Sequence, residues 1–223
     1  MTELLALSCS PRDRANSEIL LDAAVRAARE AGAGVTKYRL PELSIRPCRG
    51  CLRCNTLGRC ATGDDDWPAF SRAFVQSDAV LIACPVYFRH VPGPLKTLMD
   101  RFRSLIKVSI TRQRIICVPR EYKPKNFGFI LTQGEPAGND FEGALQMLKG
   151  FAELMGRGGA CAGEVVARGV ALSAQVAMPP EKLAGLFARL GIAADSNFVR
   201  AVYERYQGYL AAAADLGARL AGM

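Results

Sequence analysis

Ala79 to Cys84 is a run of six apolar residues ended by Pro85. A run this short, aliphatic and without alternation suits a strand buried on both faces. Such a strand needs neighbours on both edges and helices above and below it, which commits the chain to an α/β architecture. Four other segments have strand character: Leu4 to Ser8, Val35 to Leu40, Phe127 to Leu131 and Ala160 to Val166. Between them lie stretches with apolar residues three and four apart. Asn16-Ser17-Glu18 opens one that runs through Leu20, Ala24 and Ala28 to Gly32 and Gly34. Others cover Asp66 to Gln76, Pro94 to Ile106, Phe141 to Met155, Glu181 to Leu190 and Phe198 to Leu216.

Five short strands separated by helices predict a doubly wound, flavodoxin-like α/β fold with a five-stranded parallel sheet of order 2-1-3-4-5. A chain of 223 residues accommodates one such domain over its whole length. Residues 46–66, after strand 2, are left over as a cysteine-rich lobe. In such sheets ligands bind beyond the carboxyl ends of the strands, at the switch point. The loops after strands 1, 3 and 4 are therefore the ones that bear on function. No apolar run reaches the ~18–20 residues of a membrane span. The opening Met1-Thr2-Glu3 is unlike a secretory leader, so a cytoplasmic location with reduced thiols is expected.

The loop after strand 1 gathers Ser10, Arg12, Asn16 and Ser17 at the start of a helix. Hydroxyls, a guanidinium and free N–H groups at the positive end of a helix dipole favour a phosphate; a simple turn and cap is the alternative. Neither a Walker loop nor a Gly-x-Gly-x-x-Gly fingerprint is present. The loop after strand 3 puts Pro85, Val86, Tyr87 and Phe88 at the same sheet edge, where a flat ring would find apolar surface. The loop after strand 4, with Thr132 and Gly134, would close the other side.

Cysteine is unevenly placed. Cys48, Cys51, Cys54 and Cys60 form C-x₂-C-x₂-C-x₅-C, while Cys9, Cys84, Cys117 and Cys161 are scattered. The opening C-x₂-C-x₂-C is shared with ferredoxin-type runs and points to a 4Fe–4S cluster; unmetallated thiols and a zinc site remain open. Gly50 and Gly58 permit the tight backbone this spacing needs. Cys117 and Cys161 read as buried apolar thiols, and Cys84 as a thiol able to approach a ligand. His90, the only histidine, reads as structural, and Asp64 to Asp66 as favourable charge at a helix start.

The charge is uneven as well. The net +8 comes largely from Arg101 to Lys125, where eight Lys and Arg stand against Glu121 alone. This stretch reads as a solvated surface or as a contact for an anionic partner, and Arg46, Arg49, Arg53 and Arg59 add cations among the clustered cysteines. Nucleic acid is disfavoured, because few aromatic residues interleave with the charges; no membrane partner is expected.

Ser-Pro-Arg (10–12) with Asn-Ser-Glu (16–18), then Pro-Val-Tyr-Phe (85–88) with Gly-Pro-Leu-Lys (93–96) and Met-Asp-Arg (99–101), resembles the flavodoxin-like NAD(P)H-dependent FMN reductase superfamily. Pro-Cys-Arg-Gly-Cys-Leu-Arg-Cys (47–54), Gly-Arg-Cys (58–60) and Asp-Asp-Asp (64–66) are similar to its iron–sulfur flavoprotein branch. The resemblance implies FMN, with its phosphate on Ser10, Arg12, Asn16 and Ser17. It places the ribityl chain and isoalloxazine along Pro85, Val86, Tyr87 and Phe88, with Thr132 and Gly134 closing the site. It also implies a 4Fe–4S cluster on Cys48, Cys51, Cys54 and Cys60, and homodimers or homotetramers. Cys9 stands where the family usually has Gly, and Gln133 where a small residue beside the flavin is common. The expected function is redox: electrons pass between a ferredoxin-like one-electron donor and a two-electron acceptor, through cofactors rather than catalytic side chains. The alternative is a cluster-free NAD(P)H-dependent FMN or quinone reductase. A zinc-stabilised nucleic-acid module is the reading from a different class.

Overall fold

The computed structural model describes residues 1–223. Its main sheet has five parallel strands, β1 (Glu3–Ser8), β2 (Gly34–Arg39), β3 (Ala79–Pro85), β6 (Asn126–Thr132) and β7 (Cys161–Ala167), in the order β2-β1-β3-β6-β7. Counted within the sheet this is 2-1-3-4-5, the flavodoxin-like order. All seven residues of β3 are buried, as a central strand covered on both faces demands.

Period-two alternation divides the side chains between two cores. Leu4, Ala6, Ala79, Leu81 and Ile130 face α1 (Asn16–Glu30), α6 (Pro180–Arg189) and α7 (Ser196–Ala221). Leu5, Leu7, Val80, Ile82, Phe127 and Phe129 face α3 (Trp67–Gln76), α4 (Gly93–Arg101) and α5 (Glu142–Met155). Each fully buried Leu or Ile stabilises the fold by ~1.5–3 kcal/mol. A side chain such as Leu81, at 1% exposure or less, would cost ~2–5 kcal/mol if cut to Ala. Helices α1 and α7 approach closely because residue 217 is Gly: a Cβ there would lie 2.0 Å from the Ala24 carbonyl oxygen. Asp195 caps α7, accepting a 2.7 Å bond from Phe198 N–H. No helix is long and apolar enough to cross a membrane.

The departures from expectation cluster after α4. The helix expected to reach Ile106 ends at Arg101, and a 3₁₀ turn (Phe102–Leu105) leads into an antiparallel hairpin of β4 (Ile106–Ile110) and β5 (Ile115–Pro119). β-Branched Ile106, Val108, Ile110, Ile115, Ile116 and Val118 favour extended backbone over another helical turn. Cys117 is exposed, contrary to expectation, because it lies on this outlying ribbon. Cys161 is exposed too, at the start of the edge strand β7.

The basic stretch is only partly solvated. The Arg101 and Lys125 side chains are buried, and Lys123 pairs with Asp78. Arg120 donates to the carbonyls of Ser104 and Cys54. Lys107, Arg112 and Arg114 remain exposed on the hairpin.

Candidate functional site

A cavity of about 220 Å³ lies at the carboxyl edge of the sheet. Its first wall is the β1–α1 loop, with Ser10, Arg12, Asn16 and Ser17. The cap position of α1 is Ala15, whose side chain can accept nothing, and Glu18 is the acid of the first turn. Early N–H groups of the helix therefore lack a side-chain cap. Beside them Ser17 Oγ is buried without a hydrogen-bond partner. Orphaned buried donors at the positive end of a helix suit a phosphate. Glu18 is turned towards β2, where Lys37 at 3.1 Å and Arg39 at 2.9 Å neutralise it.

The other members of this wall differ in what they have left to offer. Ser10 Oγ accepts from Arg12 N–H at 3.3 Å. Arg12 donates one N–H to the Ala171 carbonyl at 2.7 Å, leaving further guanidinium donors at the cavity rim. The Asn16 side chain is fully engaged elsewhere. Its amide donates to the carbonyls of Val170 (2.9 Å) and Leu172 (2.7 Å), and its oxygen accepts from Val176 N–H (2.9 Å). Only the Asn16 backbone is available to a phosphate.

Pro85, Val86 and Tyr87 form the second wall. Val86 N–H donates to the Thr132 carbonyl at 2.8 Å, and Tyr87 and His90 exchange two 2.9 Å backbone bonds around a tight turn. Phe88 (φ 49°) and Arg89 (φ 62°) occupy its left-handed corners. That geometry turns Phe88 away from the cavity, fully exposed and outside its lining. Thr132 and Gly134 make the third wall. Arg89 Nε reaches Asp140 at 3.0 Å and ties the turn to the loop after β6. Gln133 points into that loop: its amide donates to the carbonyls of Glu135 and Gly138, and its oxygen accepts from Phe141 N–H. It organises the loop instead of lining the cavity.

Sequence reasoning missed a fourth wall, made by Val170, Ala171 and Ser173 after β7. The loop after the fifth strand emerges at the same sheet edge, and that topology was the available signal. Cys84, expected near the ligand, faces the α3–α4–α5 core with Cys9. Burial pushes the Cys84 thiol up to about 12 and raises that of Cys9 well above its usual value, with the neighbouring Cys84 adding to the effect on Cys9. Both are inert packing groups.

The four clustered cysteines line a second cavity, together with Arg101 and Arg103. All are free thiols: Cys48 and Cys51 exposed, Cys60 half-buried, Cys54 buried at the start of the single turn α2 (Cys54–Leu57). Left-handed backbone at Gly50, Leu52 and Gly58 coils the chain between them. No three His, Cys, Asp or Glu side chains are grouped so as to hold a metal ion. Four thiols around one volume, with two guanidinium groups beside them, nonetheless form a donor set suited to an anionic, sulfur-ligated group.

Asp65 anchors this lobe. It receives Arg101 at 2.5 Å, with both side chains excluded from water, and also accepts from the N–H groups of Arg46 and Trp67. Burial would raise its pKa, but the Arg101 bond and the two backbone bonds outweigh burial and hold the carboxyl below its usual range. Asp66 accepts from Ser44 N–H, and Asp64 pairs with Arg46. The three aspartates therefore pin the lobe to the strand 2 exit as well as preceding α3.

The NADPH-dependent FMN reductase model matches residues 2–151. The chain belongs to that family of flavin-dependent oxidoreductases. An iron–sulfur flavoprotein of Archaeoglobus fulgidus is 37% identical over 92 residues, 41% of this chain and 41% of that protein. An iron–sulfur flavoprotein of Methanocaldococcus jannaschii is 33% identical over 103 residues, 46% of this chain and 53% of that protein. The chain thus spans about half the length of the curated relatives it matches. Among solved structures, an azoreductase from Bacillus anthracis shares the fold with a TM-score of 0.63 and 18% identity, over 97% of this chain and 99% of that one.

Proposed function

We propose that this family member is a redox flavoprotein holding FMN in the sheet-edge cavity and a 4Fe–4S cluster on Cys48, Cys51, Cys54 and Cys60. It would pass electrons between a ferredoxin-like one-electron donor and a two-electron acceptor. The observation that carries this reading is the lining of one cavity by all four cysteines of the C-x₂-C-x₂-C-x₅-C spacing. When bound, FMN supplies the exchange between one- and two-electron steps, and the cluster a one-electron relay.

The chain's residues then have defined tasks. Ser17 Oγ and the N–H groups at the start of α1 take the phosphate, with Arg12 closing over it. Pro85, Val86 and Tyr87 offer a surface for the ring, and Thr132 and Gly134 bound its other side. Helix α4 leaves the ring-side loop at Gly93 and ends at Arg101 beside the cysteines. Its nine residues span roughly 13 Å. Exposed Arg49, Arg53 and Arg59 on the cysteine lobe, together with exposed Lys107, Arg112 and Arg114 on the hairpin, give a cationic outer face for an acidic donor. The same reading has the protein working as a homodimer or homotetramer in the cytoplasm.

A second reading is a cluster-free NAD(P)H-dependent FMN or quinone reductase. It draws support from the family's own nicotinamide dependence. One anaerobic preparation separates the two. About four iron and four sulfide per chain beside one FMN support the first. FMN without iron or sulfide, reduced rapidly by NADPH, overturns the first in favour of the second.

A further inference from the structure

Arg101 is the most heavily engaged side chain next to the cysteines. A guanidinium has five N–H donors. Nη1 donates to the Arg46 carbonyl at 2.7 Å and to Asp65 Oδ2 at 2.5 Å. Nη2 donates to the Thr62 carbonyl at 2.9 Å and to Asp65 Oδ1 at 3.2 Å. Four donors are thus spent on holding both ends of the cysteine lobe. The fifth, on Nε, is buried and has no partner. The side chain has no exposure to bulk solvent. Arg101 lines the cysteine cavity, and Cys60 is close enough to favour its charge.

Arg103, two residues on, repeats the arrangement. Nη1 donates to Cys54 Sγ at 3.7 Å and to the Ile106 carbonyl at 3.2 Å; Nη2 donates to Asn55 Oδ1 at 2.8 Å. Arg120 grips the Cys54 carbonyl at 2.8 Å from the far end of the hairpin. Three of the eight basic residues of this stretch, Arg101, Arg103 and Arg120, therefore face inward, towards the cysteine lobe. A sulfur-ligated cluster is anionic, and cationic N–H donors to its sulfurs favour the more reduced, more negative state.

We propose that Arg101 and Arg103 are positioning residues for the group held by the four cysteines, donating N–H bonds to the Cys60 and Cys54 sulfurs, setting its reduction potential and slowing loss of iron. This rests on the 4Fe–4S reading above. Arg101 Nε is the donor for Cys60 and Arg103 Nη1 the donor for Cys54. The remaining bonds to Asp65, Arg46, Thr62 and Asn55 fix the two guanidinium planes. Lysine at 101 keeps a charge for Asp65 but has no equivalent of the Nε–H branch.

The test uses anaerobically prepared holoprotein carrying Arg101→Lys, Arg103→Gln or Arg103→Lys. Three quantities are read: the cluster midpoint potential, the rate of iron release to a chelator, and the FMN content. In Arg101→Lys and Arg103→Gln the potential shifts negative, and iron leaves roughly 10-fold faster. Arg103→Lys falls between wild type and Arg103→Gln. FMN content stays at the wild-type level, because the flavin cavity contains neither arginine. If Arg101→Lys does not fold, Arg103→Gln decides alone, since Arg103 is half-exposed and outside the Asp65 network. Wild-type potential and iron retention in a folded Arg103→Gln protein overturn the proposal while leaving the cluster reading intact. Wild-type protein without iron and sulfide overturns the cluster reading itself, and the proposal with it.

Discussion

Asn16, in the first turn of α1, donates a 2.7 Å hydrogen bond to the carbonyl of Leu172, 156 residues further along the chain. Its second amide hydrogen goes to Val170 and its oxygen to Val176 N–H, so one buried side chain fixes the fourth cavity wall against the first. Asn16→Asp replaces two donors with acceptors facing carbonyls. Subunit stability should fall by about 2 kcal/mol or more. FMN affinity should fall with it, because Ala171 and Ser173 lose their support. Urea unfolding and a flavin fluorescence titration measure the two effects; unchanged flavin affinity would show that the 170–176 segment does not shape the site.

Ser17 makes the opposite prediction. Its hydroxyl is buried without a partner in the protein alone. Ser17→Ala should therefore leave the flavin-free protein as stable as wild type or slightly more so. A hydrogen bond to a charged phosphate contributes ~1.5–3 kcal/mol. The variant should bind FMN roughly 10- to 100-fold more weakly on that basis. Riboflavin, which lacks the phosphate, should bind both proteins equally. A variant that discriminated against riboflavin as strongly as against FMN would place Ser17 elsewhere on the ligand.

The central strands were readable because burial on both faces leaves an uninterrupted apolar run, as at Ala79 to Cys84. So were the loops at the carboxyl edge, whose place follows from sheet order. Part of what could not be read depends on partners far away in the chain, and part on local backbone that the side-chain pattern does not reveal. Arg101 resembles any surface arginine until Asp65 closes on it. Asn16 looks like a phosphate ligand until Val170 and Leu172 claim its amide. Phe88 reads as part of a ring-binding loop, but left-handed backbone at 88 and 89 turns it outward. The β4–β5 hairpin was hidden because its apolar residues follow directly on a helical pattern and are mixed with Lys and Arg.

Lys125 gives a pH dependence that runs against habit. Its ammonium is buried over the rings of Phe74 and Tyr122 and donates to the carbonyls of Val75 and Ser77. Burial first, then Lys123, lower its pKa to about 8, with Asp78 opposing them. The folded state thus binds its proton less tightly than the unfolded chain, where Lys titrates near 10.4. Between those values the unfolded state holds more protons, so the contribution of Lys125 to stability rises with pH. Relative to Lys125→Met, wild type should gain ~1–2 kcal/mol between pH 7.5 and 9.5. Cys9 and Cys84 act in the opposite sense above the ordinary thiol range but are common to both proteins, so the difference isolates Lys125. Urea midpoints at the two pH values measure it, and a difference that is flat or falls with pH would contradict the assignment.

The exposed remainder of the basic stretch is where the proposed acidic electron donor would meet the protein. With Arg101, Arg103, Arg120 and Lys125 engaged internally and Lys123 paired with Asp78 at the surface, the hairpin tip keeps Arg112 and Arg114 in solvent, with Lys107 on the same ribbon. Exposed charges act over about a Debye length, ~8 Å at physiological salt, so they affect encounter more than the bound state. Replacing Arg112 and Arg114 together by Glu should slow reduction by an acidic ferredoxin several-fold at low salt. The same change should flatten the salt dependence of that rate. Reduction by a small uncharged donor should not change, and neither should FMN content or subunit stability, because these side chains touch nothing in the core. Stopped-flow reduction across a salt series measures the effect. A double variant as fast and as salt-sensitive as wild type would move the docking face to Arg49, Arg53 and Arg59 on the cysteine lobe.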